Sequence, residues 1–277
     1  MARKKQKRKK KKRSTEASRA DRHDLYERAV QEPSADVRFA KRVFKRRYGR
    51  PPRALREDFC GTAALACYWV AQNPENVATG VDLDADTLAW GREHNVSGLS
   101  AEQSGRLELV EGDVLDVGKS GFDVTVAFNF SYMIFQQRSV LLRYFRRARA
   151  SLGDEGIFVI DCYGGPESQR TLEEPREIDG FDYVWDQDVF DPIQSRAVNY
   201  IHFQFEDGSE IRRAFRYDWR LWGIHELRDV MDDAGFSQTE VYWEGTDKKT
   251  GEGNDVFKRR ESAEDDPAWI CYLVAYR

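Results

Sequence analysis

The sequence predicts an α/β protein: a doubly wound, mostly parallel sheet with an N-terminal helical cap and an antiparallel β insertion. Three observations predict it. From about residue 54 to 165 short apolar strands alternate with amphipathic helices, the pattern of βαβ units joined by right-handed crossovers. Acidic residues recur where those strands end. After Gly165 the helical periodicity gives way to alternating polar and apolar residues, the pattern of antiparallel strands.

The elements follow in order. Between Asp21 and Tyr48 the apolar positions Leu25, Val30, Val37, Phe39, Val43 and Phe44 recur among charges at roughly helical intervals, and QEPSAD interrupts them, so two helices are expected. Gly49, Pro51 and Pro52 form a break, after which ALREDF reads as a strand and GTAALACYWVAQ as a helix. NVATGVDLD, RLELVEGDV, FDVTVAFNF and GIFVIDCYG read as strands two to five, with ADTLAWGREHNV and SVLLRYFRRARASL as intervening helices and DEG as a turn. FDYVWDQDVFD, SRAVNYIHFQFEDG and SEIRRAFRYDWR form the insertion, with EDGS as a hairpin turn. GIHELRDVMDDAGF is a helix, SQTEVYWEG a strand and AWICYLVAY the final strand. The polar stretch 245–266, containing GTDKKTGEGND, reads as a disordered loop or a lid. Five segments result: a disordered basic tail (1–20), a helical cap (21–50), the core (51–165), the β insertion or substrate region (166–222) and the C-terminal part of the core (223–277).

Charge is distributed unevenly. The net charge is −4, from 44 basic and 48 acidic residues, yet residues 1–13 hold ten of the basic residues and no acidic one. The remainder is therefore an acidic body, with 34 basic against 48 acidic residues. Such a cationic run repels itself and buries nothing; it reads either as a solubilising tail or as an element that meets nucleic acid or the ribosome. Cys60, Cys67, Cys162 and Cys271 lack CxxC or Cys/His spacing and lie mostly in apolar stretches, which predicts reduced core thiols and no metal site. No apolar run approaches the ~20 residues of a bilayer span, and the N-terminus lacks the hydrophobic segment of a signal peptide. The expectation is a cytoplasmic protein, or a nuclear one if eukaryotic, without a membrane partner.

In open α/β sheets ligands bind outside the carboxyl ends of the strands. Strand one ends in Glu57 and Asp58, followed by Phe59, Cys60, Gly61 and Thr62, where small residues let the backbone approach a ligand beside free helix N–H groups. Strand two ends in Asp82, 25 residues after Glu57, where a carboxylate can take both hydroxyls of a ribose. Asp113 ends strand three, preceded by Glu111 and Gly112; strand four ends in Phe128, Asn129, Phe130, Ser131 and Tyr132. Singly, each acid has a capping role as its alternative. A dinucleotide oxidoreductase needs G-x-G-x-x-G, which CGTAAL does not supply, and no phosphate-cradling GxxxxGK[ST] occurs.

EDFCGTA, GVDLD and EGDV, in that order, resemble the first three motifs of the class I S-adenosylmethionine-dependent methyltransferases, over roughly residues 54–277. EDFCGTA, the NFSY stretch, DCYGG and YDWRLW further resemble a branch of this superfamily found in bacteria and plants. The resemblance implies a Rossmann-like, seven-stranded sheet with an antiparallel last strand, and S-adenosylmethionine as cofactor. It implies that Glu57, Phe59, Cys60, Gly61 and Thr62 meet the cofactor, that Asp82 holds its ribose and Leu83 packs on its adenine, and that Asp113 and Val114 bind the adenine amine and ring. Asn129, after strand four, joins this cofactor set. Phe59 and Ala63 stand where the family's motif has glycine; Phe59 either narrows the space around the methionine part or turns its ring into the core.

Methyl transfer starts from an activated sulfonium, so catalysis is largely alignment and desolvation of a nucleophile. Tyr132, Asp161 and Tyr163 are the catalytic candidates, able to orient or deprotonate an amine or hydroxyl; a strand-end hydrogen-bonding role is the alternative for each. Tyr26 belongs either to a flap over the cofactor or to helix packing. The insertion holds Trp185, Tyr200, His202, Phe203, Tyr217 and Trp219 among other aromatics, which form either an acceptor wall or sheet core. His202 and His225 are weaker site candidates, and Arg212, Arg213, Arg216 and Arg220 either read an anion or salt an exposed face. The expected function is methyl transfer to a small molecule. Its alternatives are an RNA or ribosomal-protein methyltransferase recruited by the tail, and a cofactor-binding protein without turnover.

Overall fold

The apolar runs come together as the centre of an eight-stranded sheet of order β11-β10-β12-β5-β4-β1-β2-β3, seen in a computed structural model that describes residues 14–247 and 253–277. β1 (Ala54–Asp58), β2 (Val77–Asp82), β3 (Leu107–Glu111), β4 (Phe122–Ala127) and β5 (Leu152–Gly164) are parallel. β12 (Trp269–Tyr276) runs antiparallel between β5 and β10 (Gln238–Thr246). The central strands are buried on both sides because helices cover both faces, and β1 carries Arg56, Glu57 and Asp58 into that interior. On one face α2 (Pro33–Tyr48) and α3 (Ala64–Ala71) supply Val37, Phe44 and Trp69; on the other α6 (Arg138–Ser151) and α7 (Ile224–Asp233) supply Leu141, Phe145 and Val230. α4 (Ala85–His94) and the short α5 (Ala101–Ser104) lie between β2 and β3. The order β3-β2-β1-β4-β5 reverses direction between β1 and β4, and that switch point opens a crevice at the carboxyl ends of these strands.

A second sheet of order β6-β7-β8-β9 carries the aromatics of the insertion: β6 (Leu172–Ile178), β7 (Phe181–Asp191), β8 (Arg196–Gln204) and β9 (Glu210–Arg220). α1 (Arg22–Val30) lies against it, with Leu25 and Ala29 packed among Phe181, Ile201 and Phe203.

Four details differ from the expectation. The main sheet has eight strands, because part of the polar stretch 245–266 forms β11 (Gly253–Arg260), paired antiparallel with β10. β6 adds a fourth strand to the insertion. The DEG turn is a bulge inside β5: pairing steps from Phe122↔Leu152 to Val124↔Ile157. Residues 14–20 belong with the fold, since the Glu16 and Ala17 N–H groups bond to Asp207 and Ser209 in the β8–β9 turn. The basic run 1–13 and the middle of GTDKKTGEGND lie outside the described residues. Among the described residues no helix is long and apolar enough to cross a membrane, and all four cysteines are buried and free.

Candidate active site

The turn after β1 takes the shape of a glycine turn without most of the glycines. Phe59 (φ 58°), Gly61 (φ 52°) and Ala63 (φ 60°) are all left-handed, which costs a non-glycine residue about 1–2 kcal/mol. Neighbouring groups hold it in place. The Gly61 N–H donates to Asp82 Oδ2 at 2.7 Å, and the Cys60 N–H donates to the Val81 carbonyl at 3.0 Å. Glu57 accepts from the Ala66 N–H at 3.0 Å, capping α3 in its first turn, and burial pushes its carboxyl up to about 8. Thr62 donates to Glu27 on α1, and Asn95 bridges Glu27 (2.7 Å) and the Thr62 carbonyl (3.0 Å). α4 approaches so closely that a Cβ at Gly91 would lie 2.3 Å from the Thr62 carbonyl oxygen.

Phe59 turns its ring into the core, with centroids 5.9 Å from Phe135 and 5.6 Å from Tyr144. Beneath it lies a buried cluster that carries no local sequence signal: Arg56 pairs with Asp58 at 2.7 Å, and the Tyr144 hydroxyl donates to the same carboxylate at 3.0 Å. The Cys60 thiol is buried and pushed upward by that burial, which suits packing and not nucleophilic attack.

At the end of β2, Asp82 Oδ1 accepts from the Asp84 N–H at 2.9 Å, and Leu83 stands 72% exposed. Asp113 accepts from the Leu115 N–H at 2.8 Å. Val114 is buried, packed with Val81 and Leu115 in the core. Leu83 and Asp113 are the groups that the β2 and β3 ends leave open.

The end of β4 is more unusual. Asn129 and Phe130 are consecutive left-handed residues, both at φ 56°. Asp161 at the end of β5 holds both N–H groups, Asn129 to Oδ2 at 2.6 Å and Phe130 to Oδ1 at 2.8 Å. The two donors favour its ionised form; burial outweighs them and pushes the carboxyl up to about 8. The Asn129 carboxamide makes no hydrogen bond among the described residues. The other two catalytic candidates require correction. Tyr132 is fully buried in the core, and its hydroxyl has no partner. Tyr163 lines the crevice with its ring, 4.7 Å from Phe130, but its hydroxyl is also buried without a partner and is pushed upward by that burial.

Beyond Asn129 and Asp161 the crevice widens into a cavity of ≈ 1270 Å³. Trp185, Tyr217 and Trp219 line it from the insertion, and Trp243, Trp269 and Tyr272 from β10 and β12. Gly164 permits the Trp269 ring, which a Cβ there would meet at 2.3 Å. Tyr26 of α1 lines it beside Phe215 (5.0 Å), with its hydroxyl near Tyr217 and pushed up to about 12 by burial. α1 therefore spans from the insertion to the β1 turn, and Asp21 accepts from the Trp90 indole at 2.9 Å. Asp36 of α2 also lines the cavity; it accepts from the Tyr272 hydroxyl at 2.5 Å, and burial pushes it up to about 6. Sequence reading missed Glu27 and Asp36, whose partners are distant in the chain.

The remaining candidates lie elsewhere. His202 Nδ1 accepts from the Arg213 N–H at 2.7 Å, so the neutral ring carries its proton on Nε2, facing Asp186 at 2.9 Å. Although Glu173, Asp186 and His202 sit close together, neither ring nitrogen offers a free lone pair to a metal. His225 is exposed and pairs with Asp229. Arg216 pairs with Asp218 and Arg220 with Glu226, on the rim of the insertion.

No family model and no curated protein matches the sequence. Solved structures match the fold. A S-adenosylmethionine-dependent methyltransferase from Clostridium acetobutylicum superposes with a TM-score of 0.63 at 16% identity, over 92% of this chain and 97% of that one. The sugar N-methyltransferase KedS8 from Streptoalloteichus gives 0.61 at 18%, over 100% and 98%. CalS10, an amino pentose methyltransferase from Micromonospora echinaspora with S-adenosylmethionine bound, gives 0.63 at 14%, over 92% and 96%. The chain therefore has the fold of the class I S-adenosylmethionine-dependent methyltransferases.

Proposed function

We propose that the protein is a S-adenosylmethionine-dependent methyltransferase acting on a small-molecule acceptor. One observation carries the reading: β1 and β5, the strands on either side of β4, hold the buried carboxylates Glu57 and Asp161, neither of them ion-paired among the described residues. Such groups call for a cation, and a cofactor with an ammonium and a sulfonium answers that demand. Neighbours of this fold act on sugars and amino pentoses, and the cavity beside Asp161 is concave and lined with aromatic side chains and a few polar groups, the make-up of a small-molecule site.

In this reading Asp82 takes the ribose hydroxyls, Leu83 and Asp113 hold the adenine, and the backbone of Cys60, Gly61 and Thr62 lies along the methionine part. When bound, the cofactor supplies a methyl group already activated on sulfur. The rest falls to the protein. The β1 turn and the Asn129–Phe130 turn fix the two reactants, and α1 with the aromatic walls excludes water. Four buried free thiols suit a reducing, cytoplasmic setting.

Calorimetry with S-adenosylmethionine, S-adenosylhomocysteine and NAD tests the cofactor. The first two bind and NAD does not. Asp82→Ala removes charge-assisted hydrogen bonds worth about 1.5–3 kcal/mol, so affinity falls about tenfold to a hundredfold; an unchanged affinity refutes the assignment. The cationic run 1–13 supports a second reading, a nucleic-acid or ribosomal acceptor. Deleting residues 1–13 separates the two: loss of turnover on ribosomal material with cofactor binding intact favours the second.

A further inference from the structure

We propose that the cavity selects an amine: a small acceptor whose nitrogen enters as a cation among Asp36, Asp161 and Glu244 and the aromatic walls, and is methylated as the free amine beside Asn129. The inference rests on the methyltransferase reading and adds the substrate class.

Charge is the first argument. Asp36, Asp161 and Glu244 reach the cavity from α2, β5 and β10, and none of them is ion-paired among the described residues. Four arginines also line it, against eight Asp and Glu side chains, so the lining carries more acidic than basic groups. Arg28 pairs with Asp24, Arg38 donates to Ser34, Arg42 to the Phe257 carbonyl and Arg176 to the Ala29 carbonyl. Burial raises all three carboxyls, and like charge adds to it, from Asp36 on Asp161, from Glu32 on Asp36 and from Asp255 on Glu244. A cation relieves that repulsion in a low-dielectric space, whereas an anionic acceptor adds to it. Trp185, Trp219, Trp243 and Trp269 in the lining supply the apolar and π surfaces that hold an organic cation.

Proton chemistry is the second argument. An alcohol needs a strong base to become a nucleophile, and burial raises the hydroxyls of the lining tyrosines Tyr26, Tyr163, Tyr183, Tyr217 and Tyr272 above their ordinary value. An ammonium needs only a proton acceptor near its own pKa of about 8–10. Asp161 sits at about 8, and each of its oxygens keeps a lone pair beyond the N–H it already accepts. The ammonium gives one proton to Asp161; the freed lone pair forms the N–C bond as the C–S bond breaks; the C–S electron pair leaves on sulfur as a neutral thioether. The product departs as a methylammonium, and Asp161 returns its proton to solvent. Asn129, whose carboxamide makes no hydrogen bond among the described residues, is the positioning group: its oxygen accepts from a remaining N–H and aims the lone pair.

The test titrates the full-length protein with benzylamine, benzyl alcohol and benzoate, following tryptophan fluorescence and calorimetry, with and without saturating S-adenosylhomocysteine. Benzylamine binds at least tenfold more tightly than benzyl alcohol, and benzoate more weakly than either. Asp36→Asn and Glu244→Gln, checked for folding by thermal melting, each weaken benzylamine severalfold and leave S-adenosylhomocysteine affinity within twofold. Asp161 is tested alongside, but the two other variants keep the result readable if Asp161→Asn fails to fold. The inference is overturned if benzyl alcohol or benzoate binds as tightly as benzylamine, if no probe binds, or if both outer variants are neutral. Cofactor binding without amine selectivity sinks this inference alone; amine selectivity without any cofactor binding sinks the methyltransferase reading.

Discussion

Phe59 offers a clean test of how the β1 turn is built, because two opposing effects meet on one residue. Its ring is half-buried against Phe135 and Tyr144, while its backbone sits at φ 58°. Truncation to alanine removes the ring and keeps the left-handed strain; a fully buried phenylalanine costs about 3–5 kcal/mol on truncation, and this half-buried one about 2 kcal/mol by the same scaling. Glycine removes the ring as well, recovers about 1–2 kcal/mol of strain, and gives back about 0.5–1 kcal/mol in chain entropy. Phe59→Gly is therefore more stable than Phe59→Ala by up to about 1.5 kcal/mol, the reverse of their usual order. Urea unfolding followed by circular dichroism measures both. Because the ring points into the core, S-adenosylmethionine affinity by calorimetry stays within about threefold. An alanine variant as stable as the parent, or a glycine variant less stable than the alanine one, refutes the balance. An affinity gain beyond tenfold in both variants means that the ring narrows the cofactor space after all.

Two further predictions concern buried charge. Glu57 and Asp161 sit at about 8 in the fold against about 4 unfolded, so the native state binds more protons across that window. Stability is greatest below the unfolded values and is lost as pH rises through about 8; the melting temperature of the free protein falls from pH 5.5 to 8.5, and saturating S-adenosylmethionine reduces the fall. A melting temperature that rises over this range contradicts the assignment. Asp58→Ala leaves Arg56 buried without its partner and costs about 3–5 kcal/mol; replacing both, as Arg56→Met with Asp58→Leu, recovers most of it in urea unfolding.

The parallel core was legible because strands buried on both faces read as continuous apolar runs with acids at their ends. Two strands escaped for one physical reason. β11, GNDVFKRR, and β6, LEEPREI with Pro175, are edge strands, and edges carry charges and proline to discourage pairing with other chains. Such strands look like loops. At the site, Gly61 and Asp82 were found because they lie in short local motifs and meet each other. Tyr132 lies in the core because the direction of a strand-end side chain depends on the turn, and two left-handed residues at Asn129 and Phe130 redirect the chain just before it. Asp36 reaches Tyr272 across 236 positions, and Glu27 meets Thr62 from a different helix. Contacts of that kind leave no local pattern.

The two left-handed turns of the crevice share a construction. The turn after β1 is held by the acid that ends its neighbour β2, and the turn after β4 by the acid that ends its neighbour β5. In each case a carboxylate accepts backbone N–H groups that strain has turned outward. If Asp161 is what sustains the Asn129–Phe130 pair, then at a pH above about 8, where its carboxylate is ionised, Asp161→Asn loses a charge-assisted bond worth about 1.5–3 kcal/mol and sets an amide donor against an N–H. Left-handed strain of about 1–2 kcal/mol per residue then drives the turn to relax. The double variant with Asn129→Gly separates this from simple loss of packing, because glycine takes the left-handed conformation without strain. In the parent, where the clamp holds Asn129 left-handed, Asn129→Gly gains about 1 kcal/mol, whereas in the Asp161→Asn background, where the turn has relaxed, it gains less. Equal effects of Asn129→Gly in both backgrounds, measured by urea unfolding, mean that the acid and the turn are not coupled, and Asp161 is then left with its proton chemistry alone.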